Sequence, residues 1–130
     1  MKNFATFLLG CSICFSLTFC YGGSGGPPKS PAVGMALEAP SGSANREAAM
    51  KNDEGLGHLK QEHWETSAGY FQDAIKLDPN LAEAHFNLAL AYDEMGKHGE
   101  ASDQFKKAKE LAPNNPKIVD NDILKKHLSN

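Results

Sequence analysis

A repeat at an interval of 34 residues governs what this chain can fold into. Phe71 and Phe105, Ala74 and Ala108, Leu77 and Leu111, Pro79 and Pro113, and Asn80 and Asn114 all pair at that interval. A period of this length marks a solenoid, in which each unit is a supersecondary element that buries its apolar face only by stacking on its neighbour. Inside the units the apolar residues recur at three- and four-residue steps, as Tyr70, Phe71, Ala74 and Leu77 do, which is the spacing of an amphipathic helix. The expected fold class is all-α.

The second unit, residues 82–115, carries a recognisable pattern. Leu88, Ala89 and Tyr92 stand in its first helix, and Ala101, Phe105, Ala108 and Pro113 stand in its second. This set resembles the tetratricopeptide repeat, a helix-turn-helix with an aromatic, Leu-Gly and Tyr in one helix and Ala, Phe, Ala and Pro in the other. His85 takes the place of the large aromatic. The resemblance covers roughly residues 46–128, is similar to a small exported bacterial member of that family, and implies two helical hairpins plus a closing helix in a short α-solenoid.

Five segments follow. Residues 1–21 form the N-terminal segment, 22–45 a linker, 46–81 a degenerate first repeat, 82–115 the second repeat and 116–130 a capping helix. Ser43 or Asn45 could cap a first helix from about Arg46 to Gln61, Glu62-His63 makes a turn, and a second helix runs from about Glu65 to Leu77. Where the family pattern asks for the aromatic, Leu and Tyr, the first repeat has Lys51, Glu54 and His58, and only Gly55 fits. Either the register slips, or an atypical terminal repeat turns its outer side to solvent. Asn80 with Glu83 predicts a capped start for the next helix, and Gly96 predicts a left-handed C-terminal stop. Asn115-Pro116 predicts a third capped start.

Met1-Lys2-Asn3 followed by an apolar run from Phe4 to Tyr21 reads as a secretory signal peptide or a retained membrane anchor. Either places the rest of the chain outside the cytoplasm, in a periplasm or at a cell envelope. Cys11 and Cys20 are each placed for lipidation, though neither stands in a clean motif. Gly22 to Ala44 is almost entirely Gly, Pro, Ser and Ala, a composition expected to stay disordered as a linker. All three cysteines lie in the first twenty residues, so the rest of the chain has no thiol for a disulfide, a metal or catalysis.

A formal net charge of −3 offers no basic footprint, which excludes nucleic acid as an expected partner. No nucleophile with its base, phosphate-binding loop or paired-carboxylate cleft is present, so no enzyme activity and no cofactor are expected. His58 and Glu62, one turn apart, are the best spaced metal donors among the histidines, and chance accounts for the spacing; the expected metal ligand set is none.

The resemblance also implies where a partner would bind. On the side of the first helices that lines the family's concave groove stand Asn52, Asp53, Leu56, Leu59 and Lys60 in the first repeat. In the second repeat stand Glu83, Phe86, Asn87, Leu90 and Glu94, with Phe86 and Leu90 as apolar anchors. Asn87 matches an asparagine of carboxylate-clamping members, but the further basic residues that such a clamp needs are only partly met by Lys117 and Asn121. The expectation is a protein-interaction adaptor that holds a peptide or helix of an unidentified partner. The alternative is a self-associating structural module, because two units plus a cap fall short of three repeats and invite a homodimer that completes the stack. Contact with a membrane is expected only through the N-terminal segment.

Overall fold

The computed structural model describes residues 30–129, so the N-terminal segment and the first part of the linker lie outside the described residues. Every regular element among the described residues is helical. In chain order these are α1 (Pro31–Met35), α2 (Arg46–Leu59), α3 (Trp64–Leu77), α4 (Ala82–Glu94), α5 (His98–Leu111), α6 (Pro116–Val119) and α7 (Asp122–Leu128). Neighbours in sequence pack on one another: α2 on α3, α3 on α4, α4 on α5, and α5 on both α6 and α7. None of these helices is long and apolar enough to cross a membrane.

Local chemistry fixes the helix ends. The Asn45 side chain accepts from the Ala48 N–H at 3.1 Å and donates to the Leu77 carbonyl at 2.7 Å, so one cap also ties α2 to the end of α3. Asn115 caps Pro116–Val119 through the Lys117 N–H at 3.1 Å. At the end of α4, Gly96 has φ +73°, its N–H donates to the Asp93 carbonyl and the Lys97 N–H donates to the Tyr92 carbonyl. That pair of bonds is a Schellman turn. The end of α2 makes the same turn: Glu62 N–H to the Leu59 carbonyl and His63 N–H to the His58 carbonyl. Here the left-handed residue is Glu62, with φ +62°, standing 34 positions before Gly96.

Two expected ends differ. Asn80 does not cap α4; its own N–H is held by the Asp78 carboxylate at 3.0 Å, and Leu81 takes the cap position without a side-chain bond. The closing helix expected over 116–130 is two helices, because Asn121 accepts from both the Ile123 and Leu124 N–H groups and starts a new helix there.

The first repeat keeps its register. Gly55 is buried against Phe71, so close that a Cβ on it would lie 2.6 Å from the Phe71 ring. Its counterpart 34 residues on, Ala89, lies in one core cluster with Phe105. Of the departures from the family pattern, Glu54 is exposed, Lys51 is half-buried and pairs with Glu54 at 2.7 Å, and His58, also half-buried, stacks on Tyr70 at 5.1 Å. Terminal position rather than a slipped register therefore explains the odd residues.

The largest difference concerns residues 30–45. Expected as disordered linker, they carry α1, bury Ala32 and pack Val33, Met35, Ala36, Leu37 and Ala39 against the cores of the repeats. Composition alone undervalues such a segment, because its small side chains bury nothing on themselves and need a groove already built.

Candidate functional site: an asparagine-lined groove

Helices α2 and α4 are the first helices of the two hairpins, and the side they share is the groove. Asn52 on α2 and Asn87 on α4 are both fully buried there. An asparagine carries two donors and an acceptor in one plane, and burying it unpaired is unfavourable by about 1 to 3 kcal/mol per group. Both are satisfied, by the main chain of one residue and by each other. Asn87 Oδ1 accepts from the Leu37 N–H at 2.8 Å, while Asn87 Nδ2 donates to the Leu37 carbonyl at 2.7 Å and to Asn52 Oδ1 at 2.8 Å. Asn52 Nδ2 donates to the same Leu37 carbonyl at 3.1 Å. The pair thus grips both polar atoms of one residue's backbone, as a neighbouring strand would, and reads no side chain.

The segment so held runs antiparallel to α2 and α4. At its start the Ser30 hydroxyl donates to Glu94 at the end of α4, and the Ser30 N–H donates to Glu62 just beyond the end of α2 at 3.2 Å. At its far end Ala39 packs on the cluster of Ala48, Ala74, Leu81 and Ala84, near the starts of those helices. Between them, Val33 and Ala36 lie against the cluster holding Leu56 and Leu59, and Ala32, Met35, Ala36 and Leu37 lie with Phe86 and Leu90.

The sequence-derived groove residues are therefore mostly brought together. Asn52, Leu56, Leu59, Phe86, Asn87, Leu90 and Glu94 surround residues 30–39. Phe86 and Leu90 are not free anchors: both are 0% exposed, and the Phe86 ring meets Phe105 edge-on at 5.5 Å. Glu83 borders a cavity of about 420 Å3 beside Leu37, Glu38 and Pro40, opposite Lys117. Asp53 is exposed at the mouth of a second cavity near Ala39 and Gly42, and Lys60 is exposed past the last turn of α2. What sequence reasoning missed is the occupant itself and the part of Glu62. The signal that could have found it is the pair of asparagines on the groove side, which cannot be buried without a backbone or its equivalent to bond.

A second polar cluster joins the end of α4 to α5 and α7. Asp93 Oδ1 is 2.7 Å from His98 Nδ1 and 2.9 Å from His127 Nε2, and His127 Nδ1 is 2.9 Å from the Ser102 hydroxyl. Two imidazoles and a carboxylate are donors that zinc accepts. They are the group among the described residues whose ligand atoms converge, within 4.8 Å of one another. Lys106 and Lys126 line the same cavity and oppose a cation, and the His98 side chain is 69% exposed. What the arrangement does as it stands is brace α7 to α4 and α5, with the His127 ring also packed on Phe105 at 5.2 Å. His58 and Glu62, whose spacing chance explains, are directed apart, the first onto Tyr70 and the second to Ser30.

Comparison with known proteins agrees with this geometry. The family model of the tetratricopeptide repeat matches residues 52–116, half of the chain. The chain belongs to the tetratricopeptide repeat family. It is also similar to the human small glutamine-rich tetratricopeptide repeat-containing protein beta, 35% identical over 54 residues. That match covers 42% of this chain and 18% of the relative, so the chain spans a small part of the length of the relative it matches. Tetratricopeptide repeats are protein–protein interaction modules and typically non-enzymatic.

Proposed function

We propose that this chain is a non-enzymatic adaptor that acts outside the cytoplasm and holds an extended peptide of a partner protein in the groove between α2 and α4. The single observation that carries the reading is the grip of Asn52 and Asn87 on the Leu37 N–H and carbonyl. Main-chain hydrogen bonds supply affinity without regard to sequence, and the apolar floor of Leu56, Leu59, Phe86 and Leu90 selects small or aliphatic side chains. Placement outside the cytoplasm rests on the apolar N-terminal run from Phe4 to Tyr21. The alternative, a self-associating envelope module, draws less support: the large apolar side chains left exposed among the described residues are Met50 and Leu77 alone.

The experiment is a crosslinking capture from the native envelope with the full chain as bait, beside the Asn87→Asp variant, which loses both amide donors and sets a carboxylate against a carbonyl. The expected result is one protein retained by the wild type and lost with the variant at equal helicity. Retention of the same protein by both refutes groove binding, and recovery of the bait alone, with a dimer mass by light scattering, favours the self-associating module.

A further inference from the structure

We propose that residues 30–40 are a tethered ligand of the chain's own groove, which a partner peptide must displace. This rests on the groove reading above and adds the competitor and its chemistry. The segment is held as a ligand is held: its backbone is gripped at Leu37, its first residue is hooked by Glu62 and Glu94, and Ala32 is buried in the core. It is joined to α2 through Ser41 to Asn45 alone, so docking is intramolecular and independent of chain concentration.

The same features make the hold reversible. Between Ser30 and Leu37 the segment makes no side-chain hydrogen bond to the repeats, and half of the residues it packs there, Ala32 and Ala36 beside Val33 and Met35, are alanine. Its helix α1 is a single turn of five residues. The displacing partner is accordingly an extended peptide with small or aliphatic residues where Ala32, Ala36 and Leu37 now lie. Undocking exposes Phe86 and Leu90 to water, which keeps the empty groove scarce until a better ligand arrives.

The competition can be measured with a labelled peptide of residues 30–40, blocked at both ends, titrated into the full chain by fluorescence anisotropy. A short tether holds its segment at an effective concentration of about 1 mM. For an intrinsic dissociation constant of about 10 to 100 µM, the free copy then binds the wild type about 10- to 100-fold more weakly than an emptied groove. The Ala32→Asp, Leu37→Pro double variant empties it by placing a charge in the buried site and removing the gripped N–H, with the groove residues untouched. The expected result is at least tenfold tighter peptide binding to this variant, abolished when Asn87→Ala is added. Equal, measurable binding to wild type and variant overturns the tethered ligand and leaves the groove reading standing. Absence of binding to a variant that keeps its helicity overturns both. Should the variant lose its helices, exchange of the Leu37 amide in the wild type decides: acceleration by excess peptide is expected, and unchanged protection at saturating peptide refutes displacement.

Discussion

Adding one methyl group at Gly55 tests how the first hairpin is packed. An alanine Cβ there would lie 2.6 and 2.8 Å from two carbons of the Phe71 ring, where ordinary contact begins at 3.4 Å. The ring must retreat by about 0.8 Å (3.4 − 2.6), and it is 0% exposed, with no open side to retreat to. Forcing a methyl into a filled core is unfavourable by about 1 to 3 kcal/mol. Alanine also favours a helix interior over glycine by about 1 kcal/mol, so Gly55→Ala alone should fall between neutral and about 2 kcal/mol destabilising. Gly57 supplies the internal control, since it lies in the same helix with nothing within 4 Å of its would-be Cβ. Gly57→Ala should therefore stabilise by about 1 kcal/mol. Helix preference cancels between the two variants, and the gap of about 1 to 3 kcal/mol is the clash itself, readable as a difference in urea midpoints at equal slope. In a domain of this size each kcal/mol moves the melting temperature by about 4 to 8 °C. Equal stabilisation by both substitutions would refute the close approach of α2 and α3, and with it the explanation offered for glycine at that repeat position.

Four further outcomes are expected. Phe86→Ala removes a fully buried ring from an aromatic pair and should destabilise by about 3 to 5 kcal/mol, enough to abolish helicity near 37 °C, as circular dichroism would show. Asn87→Ala strips the Leu37 N–H of its partner and should accelerate exchange of that amide at least tenfold while α5 amides keep their protection. His127→Ala takes away the brace on Asp93 and the contact with Phe105, so α7 should become the first site of proteolysis with α2 to α5 intact. The Lys76 ammonium, hydrogen-bonded to Asp73, holds that carboxyl below its ordinary value of 3.8, so its small contribution is present above the unfolded value and lost as pH falls through the folded one. Lys76→Gln should raise the Asp73 midpoint in an NMR titration.

Much of the scaffold was legible because solenoid repeats write their contacts at fixed intervals. Phe71, Phe105, Ala74 and Ala108 are all fully buried, and Gly96 adopts the left-handed turn that glycine there predicts. Asn45 and Asn115 cap as read, because their bonds are local. Asn80 misled because α4 begins one residue further on, with Leu81 in the cap position, and the Asp78 carboxylate holds the Asn80 N–H. The break at Asp120 was hidden because Ile118 and Leu124 are both buried, so the apolar pattern continues across a chain that does not. Residues 30–40 were hard to read for a deeper reason: Ser30 and Pro31 start α1 locally, but the docking is supplied by Asn52, Asn87, Glu62 and Glu94, and a segment whose docking is borrowed carries no periodicity of its own.

The left-handed turn at Glu62 bears on which of the two matching turns frays first. The second hairpin makes this turn with Gly96, which adopts the conformation freely, whereas a residue with a Cβ is disfavoured there by about 1 kcal/mol or more. The first hairpin thus stores backbone strain that the second lacks, and it is also the hairpin whose Glu62 carboxylate holds Ser30. The turn at Glu62 should therefore fray more readily than the matching turn at Gly96. Fraying of this turn then also releases the Ser30 N–H, so that one corner loosens the start of the segment while Glu94 and the two asparagines keep the rest of it docked.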